Sequence, residues 1–124
     1  MAASKKILII DDERMLHTMM KPILGAHGFS VVPAMSGEEG LALAISEKPD
    51  LILLDVMMPQ MKGREVCAKL KEDPKTARIP VIFLTAKDSD DDVRAELDAG
   101  AIGHITKPVN MNNFVKLVKQ ALGL

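Results

Sequence analysis

Asp11-Asp12, Asp55, Thr85 and Lys107 are the residues whose types and positions could do chemistry together. Each follows a short apolar run. Lys6-Ile-Leu-Ile-Ile10 precedes Asp11, Leu51-Ile-Leu-Leu54 precedes Asp55, Val81-Ile-Phe-Leu84 precedes Thr85, and the run from Ile102 to Ile105 leads through Thr106 to Lys107-Pro108. Short continuous apolar runs separated by helix-length segments are the pattern of buried parallel strands. Parallel strands end on the same edge, and in open α/β sheets ligands bind outside that edge. Three carboxylates, a hydroxyl and an ammonium would therefore meet there, a set that suits a divalent cation and a phosphoryl group. Crowded carboxylates repel one another and raise some of their pKa values; a cation relieves the crowding. Oxygen ligands with water completing an octahedron favour Mg²⁺ over a calcium cage, which needs more protein oxygens. Asp55 closes a buried strand before a loop, where a carboxylate can serve as a nucleophile. Phosphoryl transfer needs neutralisation of the equatorial oxygens and in-line geometry. Mg²⁺, Lys107, the Thr85 hydroxyl and backbone N–H groups would supply it. Singly, each residue has a plainer reading: Asp11-Asp12 as a helix N-cap, Asp55 as a turn carboxylate, Thr85 as a turn cap, Lys107 as a solvated lysine. Lys107-Pro108 at a strand end also suggests a cis peptide.

The elements that must position these groups alternate along the chain. Met15, Leu16, Met19, Met20, Ile23 and Leu24 repeat at helical spacing up to Gly28, with Pro22 expected to kink or distort one turn. Ser30 to Ala34 reads as a second strand, and Pro33 assigns it to a sheet edge. Ser36-Gly-Glu-Glu39 is a capping box that opens a helix to about Glu47, broken by Lys48-Pro49-Asp50. Val66, Cys67 and Leu70 mark a third helix that stops near Asp73-Pro74. A fourth begins near Ser89, carries Val93 and Leu97, and ends at Gly100. Asn110 is a good N-cap for the last helix, with Phe114, Leu117, Val118, Ala121 and Leu122 on its inner face. This alternation predicts an α/β fold: a five-stranded parallel sheet with helices on both faces. The edge position of the second strand favours the order 2-1-3-4-5, with the site where strands one and three diverge.

Composition narrows the function. A chain of 124 residues, 48% hydrophobic and 27% charged, suits one globular domain. A net charge of -1 argues against a basic nucleic-acid face, and the absence of Trp and Tyr argues against base stacking. No apolar run approaches the roughly 20 residues that span a bilayer, and no signal-peptide pattern precedes the first strand, so a cytoplasmic location is expected. Cys67 is the single cysteine, expected as a small buried helix residue, and it excludes an internal disulfide. Nine methionines are expected mainly as core filler. His17 and His27, on or just after the first helix, are expected at the surface.

The residues Ile9-Ile10-Asp11-Asp12, Asp55-Val-Met-Met-Pro59, Leu84-Thr85-Ala86 and Lys107-Pro108, with Gly63, Pro80 and Asp98-Ala-Gly-Ala101, together resemble the receiver domain of two-component response regulators. The resemblance covers essentially the whole chain and implies one receiver domain over residues 1–124, its core at about 5–122. It implies that Asp55 accepts a phosphoryl group from a phosphohistidine on a sensor histidine kinase or histidine phosphotransfer protein. It implies that Asp12, Asp55 and the Met57 carbonyl bind Mg²⁺ directly, with Asp11 acting mainly through water. Lys107 would pair with the phosphoryl group, and Thr85 would move toward it. The expected role is a switch that presents its fourth helix, fifth strand and last helix to a downstream protein or fused output domain, with no direct nucleic-acid contact and no membrane insertion. Beyond its own phosphorylation and slow autodephosphorylation, no enzymatic activity is expected. The side chains of Met57 and Lys87 would border the path of attacking water. One departure stands out: His104 occupies the position, three residues before the lysine, where the family usually carries Tyr or Phe. A small Mg²⁺-dependent phosphatase and a docking module without phosphorylation are the competing readings.

Overall fold

The computed structural model describes residues 4–58, 60–86, 94–95, 97–107 and 109–124. Five strands form one parallel sheet in the order β2-β1-β3-β4-β5: β1 (Lys6–Ile10), β2 (Ser30–Ala34), β3 (Leu51–Asp55), β4 (Val81–Thr85) and β5 (Gly103–Thr106). This is the predicted order, with Pro33 on the edge strand opposite Ile9 of β1. The edge is the place where a missing ladder donor costs least.

Side-chain alternation splits the core into two layers. Ile7, Ile9, Leu53 and Leu84 face a cluster that includes Leu16, Met20 and Leu24 of α1 (Arg14–Ala26) and Phe114 and Val118 of α4 (Met111–Ala121). Leu8, Ile10, Ile52, Leu54 and Phe83 face Ala44 of α2 (Gly37–Glu47) and Val66, Cys67 and Leu70 of α3 (Gly63–Glu72). Both faces of β1, β3 and β4 are thus covered, which explains why these strands read as unbroken apolar runs. Each fully buried Leu or Ile contributes about 1.5–3 kcal/mol, so the strand ends that carry polar groups are held from both sides.

The helix boundaries follow their capping chemistry. Ser36 Oγ accepts the Glu39 N–H, the first half of the capping box, while the Glu39 carboxylate reaches one residue further back and accepts the Met35 N–H. Lys48 ends α2 with φ 50°. Asn110 Oδ1 accepts from the Asn112 and Asn113 N–H groups at the start of α4. The helix α1 runs through Pro22 without a break; Pro22 is exposed, so the carbonyl deprived of its donor lies on the side that water reaches. Of the expected helix near Ser89, residues 94–95 and 97–98 are helical and lead to Gly100; Ser89 and Val93 lie outside the described residues.

Three expectations need correction. Leu117 is 39% exposed, and Val115 takes the inner position instead, because the buried stripe of α4 runs through Phe114, Val115 and Val118. Methionine is not mainly core filler: Met20 and Met58 are buried, but Met15, Met19, Met35 and Met57 are exposed. Cys67 is buried as expected, whereas His17 is buried too and not a surface residue. No described helix is long and apolar enough to cross a membrane.

Candidate metal and phosphoryl site

Strands β1 and β3 are neighbours, with Ile10 opposite Leu54, so Asp11 and Asp55 leave the sheet side by side. Asp12 follows directly. One carboxylate oxygen from each of Asp11, Asp12 and Asp55 lies within 4.8 Å of the others. Strand β4 pairs with β3, Leu84 opposite Asp55, which places Thr85 at the same edge. Strand β5 pairs with β4, and the Lys107 N–H donates to the Thr85 carbonyl at 2.7 Å. That bond turns the chain so that Lys107 Nζ meets Asp11 Oδ2 at 2.9 Å and Asp55 Oδ1 at 3.6 Å.

Close backbone packing supports the acceptor loop. The Gly63 N–H donates to the Val56 carbonyl at 3.0 Å, and a Cβ at Gly63 would collide with the Asp55 carbonyl. Only glycine lets the first turn of α3 sit this close to the end of β3. The Met57 N–H then returns to Asp55 Oδ1 at 3.1 Å.

The electrostatics follow from burial. Asp55 is 4% exposed, and burial, followed by the negative charge of Asp11, raises its pKa to about 6. The Met57 N–H and the Lys107 ammonium oppose the rise, and Asp12 adds to it. Burial works against the charge on Lys107, but hydrogen bonds to Asp11 and Glu13 hold its pKa above the ordinary lysine value. Glu13 Oε1 sits 3.0 Å from Lys107 Nζ. Asp11, Glu13 and Asp55 thus share one ammonium, and with Asp12 beside them the set still carries excess negative charge. Clustered, hard oxygen donors with that charge fit Mg²⁺.

All three predicted carboxylates and Lys107 are therefore brought together, with Thr85 buried on the adjacent strand. Met57 lies on the loop with its side chain 59% exposed. Asp12 also lines a shallow groove with Met35, Ser36, Met58 and Met61. Pro108 and Lys87, and with them the suggested cis peptide and the second expected border of the water path, lie outside the described residues. His104 is half-buried on the edge strand β5.

Two participants escaped the sequence reading. Glu13 binds Lys107, and its signal was a third acidic residue directly after Asp11-Asp12. His17 Nε2 lies 2.8 Å from the Asp11 carbonyl oxygen. Its signal was its spacing from Met20 and Leu24, which puts it on the buried stripe of α1.

Comparison with known proteins agrees with this geometry. The model of the response regulator receiver domain matches residues 7–119. The chain is 41% identical over 119 residues to the alkaline phosphatase synthesis transcriptional regulatory protein PhoP of Bacillus subtilis, covering 96% of this chain and 49% of that protein. It is 37% identical over 117 residues to protein PilH of Pseudomonas aeruginosa, covering 94% of this chain and 97% of that one. Among solved structures, chemotaxis protein CheY4 of Vibrio cholerae superimposes with a TM-score of 0.92 at 30% identity, over 97% of this chain and 100% of that one. The chain spans about half the length of the Bacillus regulator and about a quarter, 24%, of the response regulator PleD of Caulobacter vibrioides. From its sheet order, its acidic pocket with Lys107 and these matches, the chain belongs to the response regulator receiver domain family, a family of signalling modules in two-component systems.

Proposed function

We propose that Asp55 accepts a phosphoryl group from a phosphohistidine on a histidine kinase or histidine phosphotransfer protein. The observation that supports this most is the convergence of Asp11, Asp12, Asp55 and Lys107 at one sheet edge. Asp55 Oδ1 is engaged by the Met57 N–H and faces Lys107, so Oδ2 is the attacking oxygen. Its bond to phosphorus forms as the phosphorus–nitrogen bond of the donor breaks, and the departing imidazole keeps the electron pair. A pKa of about 6 leaves Asp55 ionised at pH 7 while making it more basic than an ordinary carboxylate. Mg²⁺, held by Asp12, Asp55 and the Met57 carbonyl with Asp11 acting mainly through water, would supply charge neutralisation for the phosphoryl oxygens. Lys107 pairs with the phosphoryl group, and Thr85 moves its hydroxyl toward it. The 124 residues act as one receiver unit, and the modified state changes the surface of β5 and α4 that a downstream protein or output domain reads.

Incubation with acetyl phosphate and Mg²⁺ tests this reading against a phosphatase. A receiver takes up one phosphoryl group per chain, as an acyl phosphate. Sustained turnover of a phosphomonoester without a protein-bound phosphoryl group would favour the phosphatase instead.

Two predictions arise here. Lys107→Ala should bind Mg²⁺ as well as the parent or slightly better, because it deletes a positive charge beside the cation. It should still take up phosphoryl groups but lose the accompanying conformational change. Backbone NMR spectra of the parent and variant, with and without phosphorylation, read this; identical phosphorylation shifts in both would contradict it.

The second concerns lifetime. Hydrolysis needs a water in line with the bond between phosphorus and Asp55. The Met57 thioether is a weak acceptor that does little to orient one. Slow autodephosphorylation is expected, and Met57→Asn should shorten the lifetime by supplying a polar amide at an exposed position. The decay of the phosphorylated mass after donor removal checks this; an unchanged lifetime would show that residue 57 does not govern the water.

A further inference from the structure

We infer that His17 is a positioning residue for the metal site, holding the peptide between Asp11 and Asp12 through a single hydrogen bond; this rests on the Mg²⁺ reading above. His17 is 9% exposed, and its Nε2 stands 2.8 Å from the Asp11 carbonyl oxygen. A carbonyl only accepts, so Nε2 carries the proton and donates. The other ring nitrogen, Nδ1, is buried with no hydrogen-bond partner among the described residues. The imidazole therefore gives up one polar contact to burial in order to make the other. A buried ring nitrogen without a partner is costly, so packing alone would be better served by an apolar residue here.

The geometry shows what the bond does. Three other contacts already fix Asp11: its N–H donates to the Ala34 carbonyl at 3.0 Å, Oδ1 accepts the Glu13 N–H at 2.9 Å, and Oδ2 accepts Lys107 at 2.9 Å. The Asp11 carbonyl belongs to the peptide unit that leads into Asp12. Its orientation sets the direction in which Asp12 leaves β1. Asp12 is exposed at the rim of the groove, with no buried packing of its own to aim it. The bond from α1 thus supplies, from the opposite face of the sheet, the constraint that Asp12 lacks. Partners that orient metal ligands typically influence affinity tenfold or more.

The choice of replacements separates positioning from packing. Gln places an amide donor at about the reach of Nε2, Asn falls short of it, and Leu fills the space without a donor. We expect calorimetric titration with Mg²⁺ to show about a tenfold or greater loss of affinity for His17→Leu and His17→Asn. His17→Gln should retain most of the parent affinity. Thermal unfolding in chelator should not rank the variants in that order, since Leu removes a buried orphaned acceptor. Parent-like Mg²⁺ affinity in His17→Leu, or a loss in His17→Gln equal to that in His17→Leu, would overturn the assignment. Asp12→Ala measured alongside distinguishes the two failures. If it too binds Mg²⁺ like the parent, the metal reading is wrong; if it alone loses affinity, only the role of His17 is.

Discussion

Asp55→Asn should remain at its unmodified mass under conditions in which the parent gains one phosphoryl group from acetyl phosphate. The amide keeps the shape of the side chain and its contact with the Met57 N–H, but it has no anionic oxygen with which to attack phosphorus. The loss should be complete, because the neighbouring carboxylates are committed elsewhere: both oxygens of Asp11 are hydrogen-bonded, and Asp12 is assigned to the cation. The same variant should also be more stable than the parent at pH 7 in chelator. A folded-state pKa of about 6, against the ordinary 3.8, means that the native protein holds this proton more tightly than the unfolded chain. Stability therefore falls as pH rises from about 4 to about 6, and the penalty persists above that range. A shift of this size corresponds to at most about 2–3 kcal/mol. Asparagine is free of the penalty, so the advantage of the variant should grow between pH 4 and 6 and level off above. Thermal unfolding across that range measures it. A constant difference between variant and parent from pH 3.5 to 7 would show that the surroundings of Asp55 do not raise its pKa.

The second large effect concerns the cation. Asp12→Ala should weaken Mg²⁺ binding by tenfold or more, and by more than Asp11→Ala does. The structure gives a reason beyond the family resemblance. Asp11 is fully buried, with Oδ1 on the Glu13 N–H and Oδ2 on Lys107, so part of its charge is already spent inside the protein. Asp12 is exposed and can turn its carboxylate to a hydrated ion without breaking an internal bond. Asp11→Ala also releases Lys107 from its shortest ion pair, which changes the ammonium as well as the ligand set. Calorimetric titration of both variants settles the ranking, and equal losses would remove the distinction between a direct and a water-mediated carboxylate.

Why the strands and their endings were legible is physical. A strand covered on both faces must be apolar at every position, so β1, β3 and β4 stand out without periodicity analysis. The first polar residue after each run then marks the sheet edge, which is how Asp11, Asp55 and Thr85 could be placed from sequence. Pro33 located the sheet edge by its missing donor. His17 was harder: its spacing from Met20 and Leu24 places it on the buried stripe, but only the position of the Asp11 carbonyl gives its imidazole a partner. Leu117 failed for a related reason. The apolar stripe of α4 is wider than the surface it covers, and the sheet ends at β5, so one edge of the stripe is left in solvent. The methionines divide between core and rim because an unbranched thioether is tolerated in both. Glu13 stood out only as a third acid in the run; that it meets Lys107 follows from the turn that carries Lys107 back over β1, which is set by the bond from the Lys107 N–H to the Thr85 carbonyl.

Locating the adduct decides whether Asp55 is the phosphoacceptor. The protein is phosphorylated with acetyl phosphate and Mg²⁺, trapped with hydroxylamine, digested, and its peptides sequenced by mass spectrometry. A hydroxamate is expected at residue 55 and nowhere else, formed only in phosphorylated samples. A hydroxylamine-stable phosphoryl group on a serine or histidine, or a hydroxamate at Asp11 or Asp12 with residue 55 unmodified, would contradict it.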